Sequence, residues 1–111
     1  MFRHRIPNVP SIAVQDLADL LAGGALLLDI REQNEWAESR IDGAEFRPLS
    51  TMNEWWRDLP RNRTIVLYCR SGSRSAHATN VLIHRAHYDN VLNLTGGIIA
   101  WMKAGFEVER N

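Results

Sequence analysis

The stretch Thr64-Ile65-Val66-Leu67-Tyr68-Cys69-Arg70-Ser71-Gly72-Ser73-Arg74-Ser75 decides how the chain is read. Residues 64–68 form a continuous apolar, β-branched run, the pattern of a strand buried on both faces. Residues 75–86 have helical composition without proline or glycine, which predicts a helix. The only cysteine of the 111-residue chain therefore stands on the turn between a buried strand and a helix N-terminus. Two arginines, a glycine and three hydroxyls are crowded behind it.

Working outward, the same alternation extends along the chain. Ala25 to Ile30 is a second apolar run, too short for an independent helix, and reads as a central parallel strand. Shorter strands are expected at 11–13, 44–46 and 91–94. Helices are expected at 14–21, where apolar residues recur at helical spacing before Gly23-Gly24, at 32–40, at 52–59 and at 98–104. Ser50 or Thr51 is placed to cap the helix that Pro60 stops. Strands alternating with helices predict a three-layer α/β domain: a mostly parallel five-stranded sheet with helices on both faces. Residues 1–10, with Pro7 and Pro10, read as an N-terminal arm, and residues 11–111 as a single domain.

Composition narrows the function. A chain of this length is one domain and buries roughly two-thirds of its unfolded surface. Lys+Arg and Asp+Glu balance at 13 each, so nothing in bulk charge favours nucleic acid or an anionic membrane. A single cysteine excludes an internal disulfide and any Cys-x-x-Cys site. The basic N-terminus has no apolar run behind it and does not read as a signal peptide, and no stretch approaches the ~20 apolar residues of a membrane span. A reduced, cytoplasmic setting is the natural expectation.

The turn itself implies chemistry. Ligand crevices of open α/β sheets lie beyond the C-terminal strand ends, where Cys69 stands. Amides of residues 70–75 can curl into an anion-binding nest, the following helix adds its positive dipole end, and Arg70 and Arg74 add formal charge. All three favour thiolate over thiol, giving a nucleophile with built-in anion recognition. The competing reading is that a lone cysteine is a small buried hydrophobe; the strand–turn–helix setting, Gly72 and the arginines argue against it. Phosphatases and arsenate reductases place five residues between such a cysteine and a phosphate-binding arginine. Here four residues, 70 to 73, precede Arg74, and the longer spacing would fall on Ser75. A nest shorter by one residue suits a single sulfur bonded to Cys69 better than a tetrahedral phosphoryl group.

These residues resemble the active loop of the rhodanese family of sulfurtransferases, in their tyrosine-cysteine-arginine start, Gly72 and the Arg74-Ser75-Ala76 exit. Two remote stretches resemble the family's other signatures: Leu28-Asp29-Ile30-Arg31-Glu32 through Trp36 and Ile41-Asp42-Gly43-Ala44, and Leu94-Thr95-Gly96-Gly97 through Trp101 and Gly105. The resemblance implies that Cys69 takes a sulfane sulfur from a small anionic donor such as thiosulfate, holds it as a persulfide, and passes it to a thiol or protein acceptor. Arg70, Ser71, Gly72, Ser73 and Arg74 would bind the donor and the carried sulfur, Arg74 either in that role or as a brace of the loop. No cofactor is implied. A docking or sulfur-relay module is the alternative, with a cysteine phosphatase or arsenate reductase behind it.

Three departures from the family pattern stand out: Ser39-Arg40-Ile41 before Gly43-Ala44, His87 after the long helix where glycine is frequent, and Glu107 in place of a proline. His87 is expected to be left-handed. Asp29 and Arg31 read as structural, with a pair such as Arg31–Glu35. His77, His84 and His87 read as solvated helix-face residues, so no metal is expected. Of the adjacent Trp55 and Trp56, only one can point fully inward from a helix.

Overall fold

The computed structural model describes residues 9–111; of the arm expected over residues 1–10, residues 1–8 lie outside that range. Five strands, β1 (Ser11–Ile12), β2 (Leu26–Asp29), β4 (Glu45–Phe46), β5 (Ile65–Tyr68) and β6 (Val91–Leu94), form one parallel sheet in the order β1-β6-β5-β2-β4. Helices α1 (Val14–Ala22) and α5 (Gly97–Lys103) cover one face, and α3 (Met52–Trp55) and α4 (Ser73–His84) the other. The short α2 (Gln33–Glu38) follows β2.

The continuous apolar runs form central strands because both of their faces are covered. From β2 and β5, Leu26, Leu28, Ile65, Leu67 and Cys69 enter one core with Trp55, Leu59, Ala78 and Leu82. Their neighbours Leu27, Val66 and Tyr68 enter the other with Val14, Leu17, Ile98 and Trp101. A fully buried Leu or Val contributes about 1.5–3 kcal/mol, so these two strands hold the layers together. In-register pairing of Leu28 with Leu67 and of Leu67 with Asn93 brings the C-terminal ends of β2, β5 and β6 to one edge. Among the described residues no helix is long and apolar enough to cross a membrane.

Several boundaries differ from expectation. Helix α4 starts at Ser73 rather than 75, because left-handed Gly72 (φ 102°) serves as its N-cap and lets the turn close early. The helix expected over 52–59 is one α-helical turn flanked by 3-10 turns at Leu49–Thr51 and Trp56–Asp58. Neither Ser50 nor Thr51 caps it by side chain; the Ser50 hydroxyl instead donates to Glu32 (2.6 Å). The helix expected to reach Arg40 stops at Glu38, and β3 (Ser39–Arg40) pairs antiparallel with β7 (Glu109–Arg110) in a two-stranded ribbon. Trp55 is buried and donates its indole N–H to the Pro48 carbonyl (2.9 Å), while Trp56 is half-buried. His87 has a φ of 60°, and Arg61 donates to the carbonyls of Ala86 and His87 while stacking over the Tyr88 ring.

Candidate functional site: the cysteine turn

Cys69 is the first residue after β5, and its side chain is fully buried at the floor of the turn. Its Sγ accepts the Gly72 amide at 3.1 Å, and the Ser75 amide and hydroxyl at 3.4 Å each. The amides of Arg70, Ser71, Ser73 and Arg74 have no hydrogen-bond partner among the described residues. Helix starts leave their first N–H groups free, and here two amides of the turn, those of Gly72 and Ser75, meet the sulfur. Of the amides expected to form a nest, two are on Sγ and four make no hydrogen bond among the described residues. Ser71 and Ser73 are exposed.

The turn is held from behind by the Gly96-Gly97 stretch. The carbonyls of Cys69 and Arg70 accept the amides of Ile98 (3.0 Å) and Ile99 (3.1 Å) at the start of α5. A Cβ on Gly97 would lie 2.4 Å from the Cys69 carbonyl oxygen and 2.5 Å from that of Arg70. Only glycine permits that approach, so the C-terminal signature is a mould for the cysteine turn.

The two arginines of the turn go different ways. Arg74 forms a bidentate pair with Glu35 (2.9 and 2.8 Å). The Arg74 hydrogen bond outweighs burial and holds the Glu35 carboxyl down at about 2, while that bond raises the Arg74 guanidinium. Arg70 is exposed and makes no ion pair among the described residues. It borders a cleft of about 210 Å³ together with Glu35, Ser39, Ile99 and Arg110. Larger hollows of about 340 and 410 Å³ lie elsewhere, and no residue of the turn lines them. Arg40, the extra charge before Gly43, stacks over Trp36 and reaches Glu109 on β7.

Beside the turn, on the opposite face of the sheet, Asp29 and Arg31 form a buried pair (2.7 Å). The expected Arg31–Glu35 ion pair is not formed: Glu35 turns to Arg74, and Arg31 takes the nearer, wholly buried Asp29. Tyr68 donates its hydroxyl to Asp29 (2.6 Å) and accepts the Ile41 amide, and Arg31 also donates to the Ser39 carbonyl (2.6 Å). Burial, then the Asp29 charge, pushes the Tyr68 phenol up, so it stays a neutral donor. Burial alone would lower the Arg31 guanidinium, but the Asp29 carboxylate more than offsets it and raises it. The Asp29 carboxylate and the Tyr68 hydroxyl are each held by several partners, which supports a structural role, and Arg31 also borders the cleft that Arg70 lines. His77, His84 and His87 are all exposed.

One contact partner of the turn escaped the sequence reading. Asn93, on β6, accepts the Ser75 hydroxyl at 2.6 Å, so a buried side chain from a separate strand touches the group that touches the sulfur. The available signal was a single polar residue interrupting the apolar run Val91-Leu92-Asn93-Leu94.

Comparison with known proteins agrees with this geometry. The family model described as Rhodanese-like domain matches residues 13–104. A sulfurtransferase of Allochromatium vinosum is 40% identical over 94 residues, covering 85% of this chain and 85% of its own. The probable adenylyltransferase/sulfurtransferase MoeZ of Mycobacterium tuberculosis is 40% identical over 97 residues, covering 84% of this chain. The chain spans only 24% of that larger protein. The crystal structure of a rhodanese-related protein from Thermoplasma volcanium superposes with a TM-score of 0.79 at 30% identity, covering 90% of this chain and 97% of that one. The parallel sheet, the moulded cysteine turn and the match along most of the chain together make this protein a member of the rhodanese-like family.

Proposed function

We propose that the protein is a sulfurtransferase that carries a sulfane sulfur on Cys69, within a single unit of residues 11–111 preceded by the arm. The Cys69 thiolate attacks the outer sulfur of a donor such as thiosulfate. A new S–S bond forms, the donor's S–S bond breaks, and its electron pair leaves with sulfite. The persulfide keeps the thiolate's negative charge, now on the outer sulfur. An acceptor thiolate, or cyanide in an assay, then takes that sulfur and regenerates the Cys69 thiolate. With one cysteine in the chain, no internal thiol can discharge the persulfide, so the acceptor comes from outside.

The observation that carries this reading is the pattern of amides around the sulfur. Gly72 and Ser75 already hold Sγ, and four further amides stand free for the atom beyond it. Such oriented donors stabilise charge without reorganising. Exposed Arg70 is suited to draw in the donor's anionic end, whereas Arg74, held by Glu35, braces the turn. Because Cys69 is buried, the donor reaches it as the outer side chains of the turn give way. The chemistry calls on no cofactor, and a reduced, cytoplasmic setting would keep the thiol available. Discharge to a thiol outside the chain also suits a relay to a protein acceptor, the role that a domain within a larger sulfurtransferase would fill.

Thiosulfate and cyanide supplied together should yield sulfite and thiocyanate, and Cys69→Ser should reduce both to background. Thiocyanate formation undiminished in Cys69→Ser would overturn the reading. Aryl phosphate turnover lost in that variant would point to a phosphatase instead.

A further inference from the structure

The Ser75 hydroxyl has one proton and three acceptors within reach, the third being the Gly72 carbonyl at 3.3 Å, which already accepts the Ala76 amide. Asn93 Oδ1 lies 2.6 Å away and Cys69 Sγ 3.4 Å away, and Ser75 and Asn93 are 0% and 6% exposed. A hydroxyl donates its proton to one acceptor at a time. With all three acceptors neutral, the shortest bond, to the Asn93 amide oxygen, wins. A hydrogen bond to an ionised acceptor is roughly twice as strong as a neutral one, so a negative charge on Sγ reverses the preference.

Sulfur transfer moves that charge. On the free cysteine it sits on Sγ, within reach of the Ser75 hydroxyl. On the persulfide it sits one bond farther out, toward the open amides of Arg70, Ser71, Ser73 and Arg74. We propose that the Ser75 hydroxyl is a charge-sensing switch, turned to Sγ in the thiolate and to Asn93 Oδ1 in the persulfide, that sets the balance between loading and discharge. The inference rests on the sulfur-transfer reading above. No oxidant or reductant is needed, since the hydroxyl only reorients while the electron pair moves between sulfur and sulfite.

The two ends of the switch push the balance in opposite directions. Ser75→Ala removes a donor to the thiolate and so favours the persulfide. A hydrogen bond to a charged group is lost, so the loading equilibrium constant, persulfide and sulfite over thiolate and thiosulfate, should rise about tenfold. Asn93→Leu, close in shape, removes the nearest rival acceptor and leaves only the longer contact to the Gly72 carbonyl, so it favours the thiolate and should lower the constant several-fold. Distortion of the turn would move both variants the same way.

The test equilibrates wild type and variants with thiosulfate and graded sulfite and reads the persulfide fraction by intact-protein mass. A higher constant for Ser75→Ala with a lower one for Asn93→Leu supports the switch. A Ser75→Ala constant within about twofold of wild type, or shifts of the same sign in both, overturns it. Should Asn93→Leu not fold, Asn93→Ala carries the same expectation, and Ser75→Ala alone can still overturn the switch. Persulfide in wild type with an unmoved Ser75→Ala overturns this inference alone; no persulfide in wild type overturns the sulfur-transfer reading and this inference with it.

Discussion

Tyr68 and Cys69 are chain neighbours that point to opposite faces of the same sheet, and their surroundings differ in kind. On the Tyr68 side, Asp29, Arg31, the phenol and two backbone groups satisfy one another in a closed, buried cluster. On the Cys69 side, two amides of the turn meet Sγ and four are without a partner among the described residues. Those four amides belong to exposed or half-exposed residues at a helix start, where N–H groups are free to meet water or a ligand. The well-paired cluster reads as architecture, and the turn with its open amides is where the proposed chemistry is placed.

The sharpest way to break this contrast is to open the closed side. Asp29→Ala would leave the Arg31 guanidinium buried and unpaired and should destabilise by about 3–5 kcal/mol, read from urea unfolding. A loss below about 1 kcal/mol would show that the cluster is not what secures the β2–β5 edge. Next comes the mould of the turn. Gly97→Ala places a Cβ 2.4 Å from the Cys69 carbonyl oxygen at a φ of 60°. It should cost about 1–3 kcal/mol and reduce sulfur transfer more than stability, because the backbone that must give way carries the open amides. Unfolding and single-turnover loading, measured on the same sample, separate the two effects.

The smallest effect is expected at the brace. Glu35→Gln should cost about 1 kcal/mol at neutral pH, since the pair with Arg74 is bidentate but partly exposed and screened. The sign with pH follows from the lowered Glu35 carboxyl at about 2. The contribution is full above the unfolded carboxyl range near ~4.3 and fades as pH falls toward the folded value. Wild type and Glu35→Gln should therefore differ in denaturation midpoint at pH ~7 and converge near pH ~2. A gap that persists in acid would mean that the brace works by shape and not by charge.

The parts legible in sequence are those written in contiguous residues. Residues 65–68 are apolar on successive positions, and 91–94 are apolar but for Asn93, so β5 and β6 are readable to within a residue. The cysteine turn was readable because strand, glycine and helix follow one another directly. Contacts between distant residues were not. Glu35 and Arg74 lie 39 positions apart, and nothing local tells Glu35 to prefer Arg74 over the nearer Arg31. The β3–β7 ribbon joins two-residue segments far apart in the chain, Ser39–Arg40 and Glu109–Arg110, too short for any periodicity to register. Asn93 shows its purpose only when β6 lies beside β5 and its amide meets Ser75. The two glycine signals divide the same way: Gly72 was visible as a turn residue, whereas Gly97 has its reason in the carbonyls of Cys69 and Arg70, set by tertiary approach.

The central claim, that the open amides exist to hold a second sulfur on Cys69, is tested most directly by weighing the intact protein. After incubation with thiosulfate and removal of excess reagent, the chain should gain the mass of one sulfur, located to the peptide containing Cys69. Cyanide should then return it to its starting mass. An unchanged mass with thiosulfate and with other sulfane donors, or added sulfur on any peptide other than that of Cys69, would contradict the account.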